Sequence, residues 1–548
     1  MGSPVRLLVL LASVCAFVVA TSAAAAQGGP LPAPARVADD ALARAFERGA
    51  LSEAEYALER ARSLFRLEAV RREFGAVARP DPHAATFILR DLAFRVRDLS
   101  GSERREAEAI LARPNDDDWP PDQEPHYAPD AIPAMHCDDN MCLHWDENAG
   151  SGDATPEADG DPGTVPPWAT TTMGVFQNVW TKEVDTFGYR EPRPDADSDP
   201  SGDPRLDIYL LDLGAYGIFG YCAWDSSAQA SRTRAAYCAV DNDFLEFCGD
   251  LPCARRVALA FLRVTAAHEF FHAVQFAYDA MEDRGFMEQT AMWMEDEVYD
   301  KVNDNRNYLW DSALRKPHTP LDYEKDLFQY GNWIFWRFLS ERHGRDTVRR
   351  AWQWADAGSE GPNDYSIGAL RRALGEKGTS LHAFYAFFGW ANRRPGAYYE
   401  EGASYPASPL SATYRLRRPG DTGWKASRLD HLTNRYYAFK PRRSVPRKAE
   451  LRVRVNLPKP KTRPLANLVV FFKSGAVRLK PIALDRAGDG GRRVPFGRAQ
   501  VRRVELVLTN GSSRIDPSTC WHRLTDYACG GALPLDDRRT YAFRAVVR

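Results

Sequence analysis

Two histidines and a glutamate form the most chemically specific pattern in the sequence. His268, Glu269 and His272 stand in the segment 265–274 as His-Glu-x-x-His, with uncharged residues on both sides. On a helix the two imidazoles lie one turn apart and face the same position, so they can bind one metal ion. Zinc acidifies a coordinated water, and Glu269 can then take its proton. The pattern predicts a zinc centre with Glu269 as general base. The alternative is an amphipathic helix whose histidines are satisfied polar groups.

A catalytic zinc needs a third protein ligand, and Glu288 is the candidate. It follows His272 by sixteen residues and has mostly apolar neighbours. Glu295 lies seven residues further along the same predicted helix, near the same face. We therefore predict that His268, His272 and Glu288 bind zinc. Glu295 is expected to accept the second N–H of a ligating histidine; its alternative is a solvated acidic surface.

The two motifs together resemble those of the gluzincin metallopeptidases, which include thermolysin and the aminopeptidase N family. His268-Glu-Phe-Phe-His272 is followed by Glu288-x-x-Ala-x-Trp-x-Glu295, as in that clan. The chain is still more similar to a group of secreted bacterial proteins assigned as metalloproteases. These proteins also have a helical N-terminal part, with the motif found here as Leu89–Ala93. The resemblance is specific only over residues 265–344. It implies that the motif histidines and Glu288 hold zinc and that the motif glutamate acts as general base and acid.

The same resemblance implies a role for Tyr330. Aminopeptidase-like gluzincins carry a Tyr-x-x-Gly helix whose tyrosine stabilises the oxyanion, but here Gly331 follows the tyrosine immediately. A phenol near zinc can donate a hydrogen bond to developing negative charge. The alternative for Tyr330 is an aromatic core position beside Trp333. His318 and His343 are further candidates for the donor.

A second cation site is weaker in the sequence. The acidic run 195–203 has alternating carboxylates suited to Ca²⁺. It lacks the sixth-position glycine and the final glutamate of an EF-hand loop, so a solvated acidic loop is the preferred interpretation. Zn²⁺ is the predicted cofactor, and Ca²⁺ is a secondary expectation.

Hydrophobic periodicity predicts the elements that must position these residues. Residues 38–112 and most of 257–390 have helical spacing, whereas short period-two strands follow residue 414. The predicted fold class is α+β, with a helical N-terminal region, a gluzincin-like zinc-peptidase core and a C-terminal antiparallel β-sandwich. The predicted boundaries are 1–26 for a signal peptide, 27–114 for the helical region, 115–405 for the catalytic domain and 406–548 for the sandwich. The helical region is either a pro-segment or a permanent structural cap.

The N-terminus and the cysteines both predict export. Arg6 precedes a mainly apolar run, 7–20, and small residues then offer a cleavage site before Gln27, the layout of a secretory signal peptide. Eight cysteines remain after cleavage, an even number that favours an oxidising compartment. Their spacing suggests the bridges Cys137–Cys142, Cys222–Cys238, Cys248–Cys253 and Cys520–Cys529.

Charge and hydropathy narrow the function classes. A net charge of −2 gives no support to nucleic-acid binding. No segment after the signal peptide approaches the about 20 continuous apolar residues of a membrane span. The leading hypothesis is a secreted zinc metallopeptidase acting on protein or peptide substrates. The alternatives are an aminopeptidase and a non-catalytic exported zinc protein whose C-terminal sandwich binds a cell surface.

Overall fold

Helices and strands are mixed along the chain, which confirms the predicted α+β class. The computed structural model describes residues 40–116, 125–194, 203–224, 232–248, 255–516 and 533–548. The helices are α1 Ala41–Glu47, α2 Glu53–Phe65, α3 Leu67–Phe74, α4 Ala85–Ala93, α5 Gly101–Leu111, α6 Pro167–Trp180, α7 Arg255–Asp279, α8 Arg284–Tyr299, α9 Phe328–Gly331, α10 Trp333–His343, α11 Asp346–Ala355, α12 Ile367–Glu376 and α13 Leu381–Ala391. The strands are β1 Pro133–Cys137, β2 Met141–Asp146, β3 Leu206–Leu211, β4 Gly220–Ala223, β5 Tyr237–Asp241, β6 Ala412–Leu416, β7 Gly420–Asp421, β8 Lys425–Leu429, β9 Thr433–Pro441, β10 Glu450–Asn456, β11 Pro464–Phe472, β12 Val477–Pro481, β13 Asp489–Pro495, β14 Val501–Asn510 and β15 Arg539–Val547.

The first sheet is mixed and is covered by helices on both faces. Its strand order is β1-β2-β3-β5-β4, so β4 is an edge strand. Side chains alternate between the two faces of a strand. Tyr209 and Leu211 of β3 therefore pack with the N-terminal helices, whereas Ile208 and Leu210 pack with α6 and α7. Burial on both faces explains why β3, β4 and β5 contain almost no exposed residue.

The N-terminal helices pack into this core. Helix α2 begins with the predicted capping box, in which Ser52 Oγ accepts from the Glu55 N–H and the Glu55 carboxylate accepts from the Ser52 N–H. On α4, Phe87 joins the core that surrounds α7, and Ile88 and Leu89 join the core on the other face of the sheet. Arg90 is buried and donates a hydrogen bond to the Glu282 carbonyl at 2.9 Å. These contacts hold α4 between the first sheet and the turn before α8.

Helices α7 and α8 pack against each other at the centre of the molecule. Helix α7 is apolar around most of its circumference because nearly all of its residues from Val264 to Asp279 are buried. It is long and apolar enough to cross a membrane by composition, but 72% of the relevant window is buried inside the protein. Helix α8 begins after Asp283, whose side chain accepts a hydrogen bond from the Phe286 N–H at 2.6 Å. An Asp cap of this kind fixes where the helix starts.

The C-terminal part contains two packed sheets. One has the strand order β13-β10-β15-β7, with β8 also paired to β15, and the other has the order β12-β11-β14-β9-β6. The inward residues of both sheets share one core, as in a β-sandwich. Strand β6 pairs with β9 in parallel, which departs from the predicted all-antiparallel arrangement. Tyr436 and Glu505 attach the sandwich to α13 and the residues after it through Gly389 and Arg393.

Two of the predicted disulfides are present. Cys137–Cys142 closes the β1–β2 hairpin, and Cys222–Cys238 joins β4 to β5. Cys248 is also disulfide-bonded. The other predicted partners, residues 253, 520 and 529, lie outside the described residues, as do the signal peptide and residues 195–202 of the acidic run.

Candidate metal centre

Helices α7 and α8 bring the three predicted zinc ligands together. His268 and His272 project from one side of α7, and Glu288 projects from α8 between them. Glu288 Oε2 lies 3.2 Å from His268 Nε2 and 3.7 Å from His272 Nε2. All three side chains are fully buried, and one ligand atom from each lies within 4.8 Å of the others. Two imidazoles and one carboxylate are a donor set that catalytic zinc sites use.

The opposite nitrogen of each histidine ring has its own acceptor. His268 Nδ1 lies 2.7 Å from Glu295 Oε1, the contact predicted for Glu295. His272 Nδ1 lies 2.7 Å from Gln275 Oε1. The Gln275 amide nitrogen donates to the Met287 carbonyl at 3.0 Å, so its oxygen must be the acceptor. His272 Nδ1 therefore carries the hydrogen, which leaves His272 Nε2 with a lone pair for a metal ion, and an ionised Glu295 would set the same tautomer at His268.

Several polar atoms at this point have no partner among the described residues. They are His272 Nε2, Glu269 Oε1 and Glu288 Oε1. A buried polar atom without a hydrogen bond costs about 1–3 kcal/mol, so three in one place call for a ligand that satisfies them. A divalent cation would satisfy the His272 and Glu288 atoms. The residues present therefore fit a zinc ion.

The electrostatics of the three carboxylates differ. Burial opposes ionisation of Glu288, but the neighbouring imidazoles of His268 and His272 outweigh it and hold its pKa at about 2. Glu269 has a raised pKa because it is buried, an effect that the two histidines only partly offset. Burial raises the pKa of Glu295 to about 8. Glu288 is thus suited to bind a cation as an anion, whereas Glu269 is more basic than an exposed glutamate.

Edge strand β4 approaches Glu269 closely at Gly220. A Cβ on residue 220 would lie 2.9 Å from the Ala239 carbonyl oxygen and 3.1 Å from Glu269 Cγ. Contacts of that length are too short for a side chain. Glycine here allows the sheet edge to lie directly against α7, the helix that carries His268 and His272.

Tyr330 lies beside the proposed ligands, at the end of α9. Its side chain is 1% exposed, and its hydroxyl has no hydrogen-bond partner among the described residues. Burial raises its pKa well above the usual value, so it remains a neutral donor. The departure from the Tyr-x-x-Gly pattern has a local explanation. A Cβ on Gly331 would lie 2.5 Å from the carbonyl oxygens of Tyr308 and Asp311, so glycine is needed for packing.

The two alternative histidine donors are placed elsewhere. His343 ends α10 and lies against Phe384, with ring centroids 5.3 Å apart. His318 is exposed, and desolvation together with Arg435 and Lys316 lowers its pKa. Neither belongs to the group around Glu288.

A cavity of about 260 Å³ reaches the centre from the side of Glu288 and Tyr330. One wall comes from the N-terminal region, and the other from the segment before α9. Exposed Arg79, Asp326 and Leu327 stand at its outer end. The remaining lining residues are Arg60, Pro80, Asp81, Ala84, Phe87, Ile88, Arg284, Glu324 and Gln329.

Four residues around the centre were not found from the sequence. Gln275 stands three residues after His272, and this helical spacing was the one available signal. His83 is fully buried, and its ring centroid lies 4.8 Å from that of His268. Phe87 packs edge-on against His272 with ring centroids 5.2 Å apart. Thr86 Oγ1 lies 2.8 Å from Glu269 Oε2. The last three come from a region that carries no catalytic motif.

Comparison with known proteins gives no function for this site. A family model described as "Family of unknown function (DUF6055)" matches residues 233–459, which contain His268, Glu269, His272 and Glu288. No curated protein matches the chain. Among solved structures, the chain is similar to one titled as a novel family GH115 4-O-methyl-alpha-glucuronidase with specificity for decorated arabinogalactans. The identity is 10%, the TM-score is 0.14, and the match covers 53% of this chain and 39% of that one. At that TM-score the likeness carries no argument about fold or reaction.

The prediction of a peptide-bond hydrolase is corrected at this point. The enzyme that the comparison names is a glucuronidase rather than a peptidase, although the likeness is too weak to transfer its activity. The sheet edge gives a physical reason for the correction. Extended peptides commonly bind by adding a strand to an exposed sheet edge. Beside α7, the Cys222 N–H donates to Thr86 Oγ1 at 2.9 Å and the Phe219 N–H donates to the Pro82 carbonyl at 3.2 Å. The N-terminal region therefore occupies the edge that a peptide would use.

Proposed function

We propose that the chain is a metal-dependent hydrolase whose reactive centre is built on α7 and α8. One observation supports the proposal most directly. His268 Nε2, His272 Nε2 and the Glu288 carboxylate converge, while the second nitrogen of each ring is held by Glu295 or Gln275. A histidine that serves only packing has no need for this orientation.

The chain's own residues supply the rest of the chemistry. A bound Zn²⁺ supplies Lewis acidity, which polarises the group to be cleaved and acidifies water. Glu269 has a raised pKa and one oxygen without a partner among the described residues, so it is suited to take a proton from water and pass it to the leaving group. The Tyr330 hydroxyl is available to donate to negative charge that develops on the substrate.

The cavity limits the substrate. Its volume of about 260 Å³ admits a compact group, and its walls combine arginine and carboxylate side chains with Phe87 and Ile88. We therefore propose that the substrate group that enters the cavity is small and polar. The class of bond that is cleaved is to be determined by direct assay.

The first test is zinc binding followed by hydrolysis. Wild-type protein loaded with Zn²⁺ is assayed on nitrophenyl esters, glycosides and phosphates and on acyl anilides. Glu269→Gln should keep its zinc and its fold but lose turnover by roughly two orders of magnitude. Glu73→Gln, on the exposed surface of α3, is the matched control and should behave as wild type. Equal turnover in wild type and Glu269→Gln would refute the proposal.

We also propose that the protein is exported. The disulfides Cys137–Cys142 and Cys222–Cys238 support an oxidising compartment. Expression with the native N-terminus should release protein that begins near Gln27, as N-terminal sequencing would show. Retention of full-length chain in the cytoplasm would contradict export.

A further inference from the structure

Thr86 makes two hydrogen bonds that define where its single hydroxyl hydrogen points. It is fully buried on α4, at the edge of strand β4. The Cys222 N–H donates to Thr86 Oγ1 at 2.9 Å, and an N–H can only donate. The same Oγ1 lies 2.8 Å from Glu269 Oε2. The hydroxyl hydrogen must therefore point to Glu269. Thr86 thus accepts from the Cys222 N–H and donates to the Glu269 carboxylate, which links the backbone of β4 to that side chain.

The hydrogen bond from Thr86 makes the two carboxylate oxygens of Glu269 different. Oε2 is occupied by Thr86, whereas Oε1 is buried and has no partner among the described residues. Without the hydroxyl, the carboxylate would be free to rotate about its last bond, and either oxygen could turn away from the ligand group. A buried hydrogen bond to a charged acceptor is among the stronger hydrogen bonds in a protein, enough to hold one orientation.

Thr86 is itself held in place from both sides. On the same turn of α4, Ile88 and Leu89 pack into the core with the aromatic residues of the first sheet. Arg90 donates to the Glu282 carbonyl at 2.9 Å, just before α8. The hydroxyl therefore stands at a fixed distance from both helices that carry the metal ligands.

We propose that Thr86 is a positioning residue for Glu269, and that the N-terminal region is thus a working part of the metal centre. This inference rests on the proposed function, because it assigns Thr86 a role through the general base. A positioning role for Thr86 distinguishes the two interpretations of the N-terminal region, a pro-segment and a permanent structural cap. A pro-segment that is removed would take Thr86 with it, whereas a permanent wall keeps Glu269 oriented.

The test uses acetohydroxamate binding to the zinc-loaded full chain. A hydroxamate chelates zinc and gives its proton to a neighbouring base, so its affinity reports the orientation of Glu269 without any substrate. Thr86→Val keeps the side-chain shape and removes the donor, whereas Thr86→Ser keeps the donor. Calorimetry gives the dissociation constant, and zinc content and melting temperature show that each variant is loaded and folded.

Thr86→Val should weaken acetohydroxamate binding roughly tenfold, while Thr86→Ser should stay close to wild type. In a Glu269→Gln background, Thr86→Val should cause no further loss, because its partner is already changed. If Thr86→Val does not fold, Thr86→Ala takes its place, with the same expectation.

Two results would overturn the inference. One is wild-type affinity in the folded, zinc-loaded variant that lacks the hydroxyl. The other is an equal loss in the Glu269→Gln background, which would mean that Thr86 acts by another route. Failure of the wild-type chain to bind zinc would instead contradict the proposed function, so the two failures are distinguishable.

Discussion

The metal centre and the junction with the C-terminal sandwich each contain a buried histidine among carboxylates, but the ring nitrogens are used differently. At the junction, His431 Nε2 lies 2.7 Å from Asp322 Oδ1, and His431 Nδ1 lies 2.6 Å from Asp537 Oδ1. Both nitrogens are satisfied by acidic acceptors. At the candidate metal centre, both ring nitrogens of His268 also have acidic partners, but His272 Nε2 has no hydrogen-bond partner among the described residues.

The difference distinguishes a histidine that joins two parts of the fold from a histidine that is oriented to bind a ligand. Burial disfavours the charged form of His431, but its two aspartate partners outweigh burial and raise its pKa to about 10. His431 is therefore a charged link between the segment before α9 and the sandwich. His272 Nε2 has no hydrogen-bond partner among the residues that the structure describes, although its other nitrogen is held by Gln275. Burial and acidic neighbours alone do not distinguish the two sites, whereas the unpartnered nitrogen of His272 does.

The largest expected effect is the loss of zinc from the metal centre. The wild-type chain should bind about one zinc, and the double variant His268→Ala/His272→Ala should bind none. His431→Ala should keep the wild-type zinc content, because its nitrogens are already used. Elemental analysis of dialysed protein measures all three. Full zinc content in the double variant would show that the ion binds elsewhere.

The second effect concerns stability and should be confined to the junction. His431→Ala leaves Asp322 and Asp537 facing each other without the charge between them. Breaking a buried pair in this way costs about 3–5 kcal/mol. Denaturant unfolding of metal-free protein at neutral pH gives the free energy. His272→Ala is the comparison. It should lower the free energy of unfolding less than His431→Ala does, since one of the His272 nitrogens makes no hydrogen bond among the described residues.

The junction should also make stability depend on alkaline pH. The folded pKa of His431, about 10, is above the unfolded value of about 6.5. Its stabilising contribution is therefore complete below about pH 6.5 and declines as pH rises toward about 10, by about 1.4 kcal/mol per pH unit. Unfolding free energies at several alkaline pH values should show this decline in wild type. The decline should be smaller in His431→Gln, and identical slopes would contradict the assignment.

The smallest expected effect is on zinc affinity through Glu295. Its carboxylate holds His268 Nδ1 at 2.7 Å and increases the basicity of the other nitrogen. Glu295→Gln should lower zinc affinity by about tenfold, as measured by competition with a chelating dye. Asp537→Asn makes the same kind of change at His431 and should leave zinc affinity unaltered.

Local spacing explains why much of the fold and of the centre could be predicted. His268 and His272 must share a helix face whatever surrounds them, because that is a property of the helix. The capping box at Ser52 and the bridge between Cys137 and Cys142 are likewise local, and both are present. The α+β class followed from the change in periodicity near residue 414.

Contacts between distant parts of the chain could not be predicted in the same way. Thr86 and Glu269 are 183 positions apart, and no motif marks the threonine. The parallel pairing of β6 with β9 depends on how the chain enters the sandwich, which side-chain alternation does not encode. The expectation of peptide cleavage had the same weakness, since the motif residues contain no information about what covers the neighbouring sheet edge.

The covered edge of β4 has a consequence for folding and self-association. An exposed strand edge can template pairing with another chain, and proteins commonly cover such edges. Here Pro82 and Thr86 take up the N–H groups of Phe219 and Cys222. Until α4 docks, a nascent or partly unfolded chain presents that edge beside the apolar surface of α7. Substitutions that weaken the docking of α4 should therefore increase aggregation as well as disturb the centre.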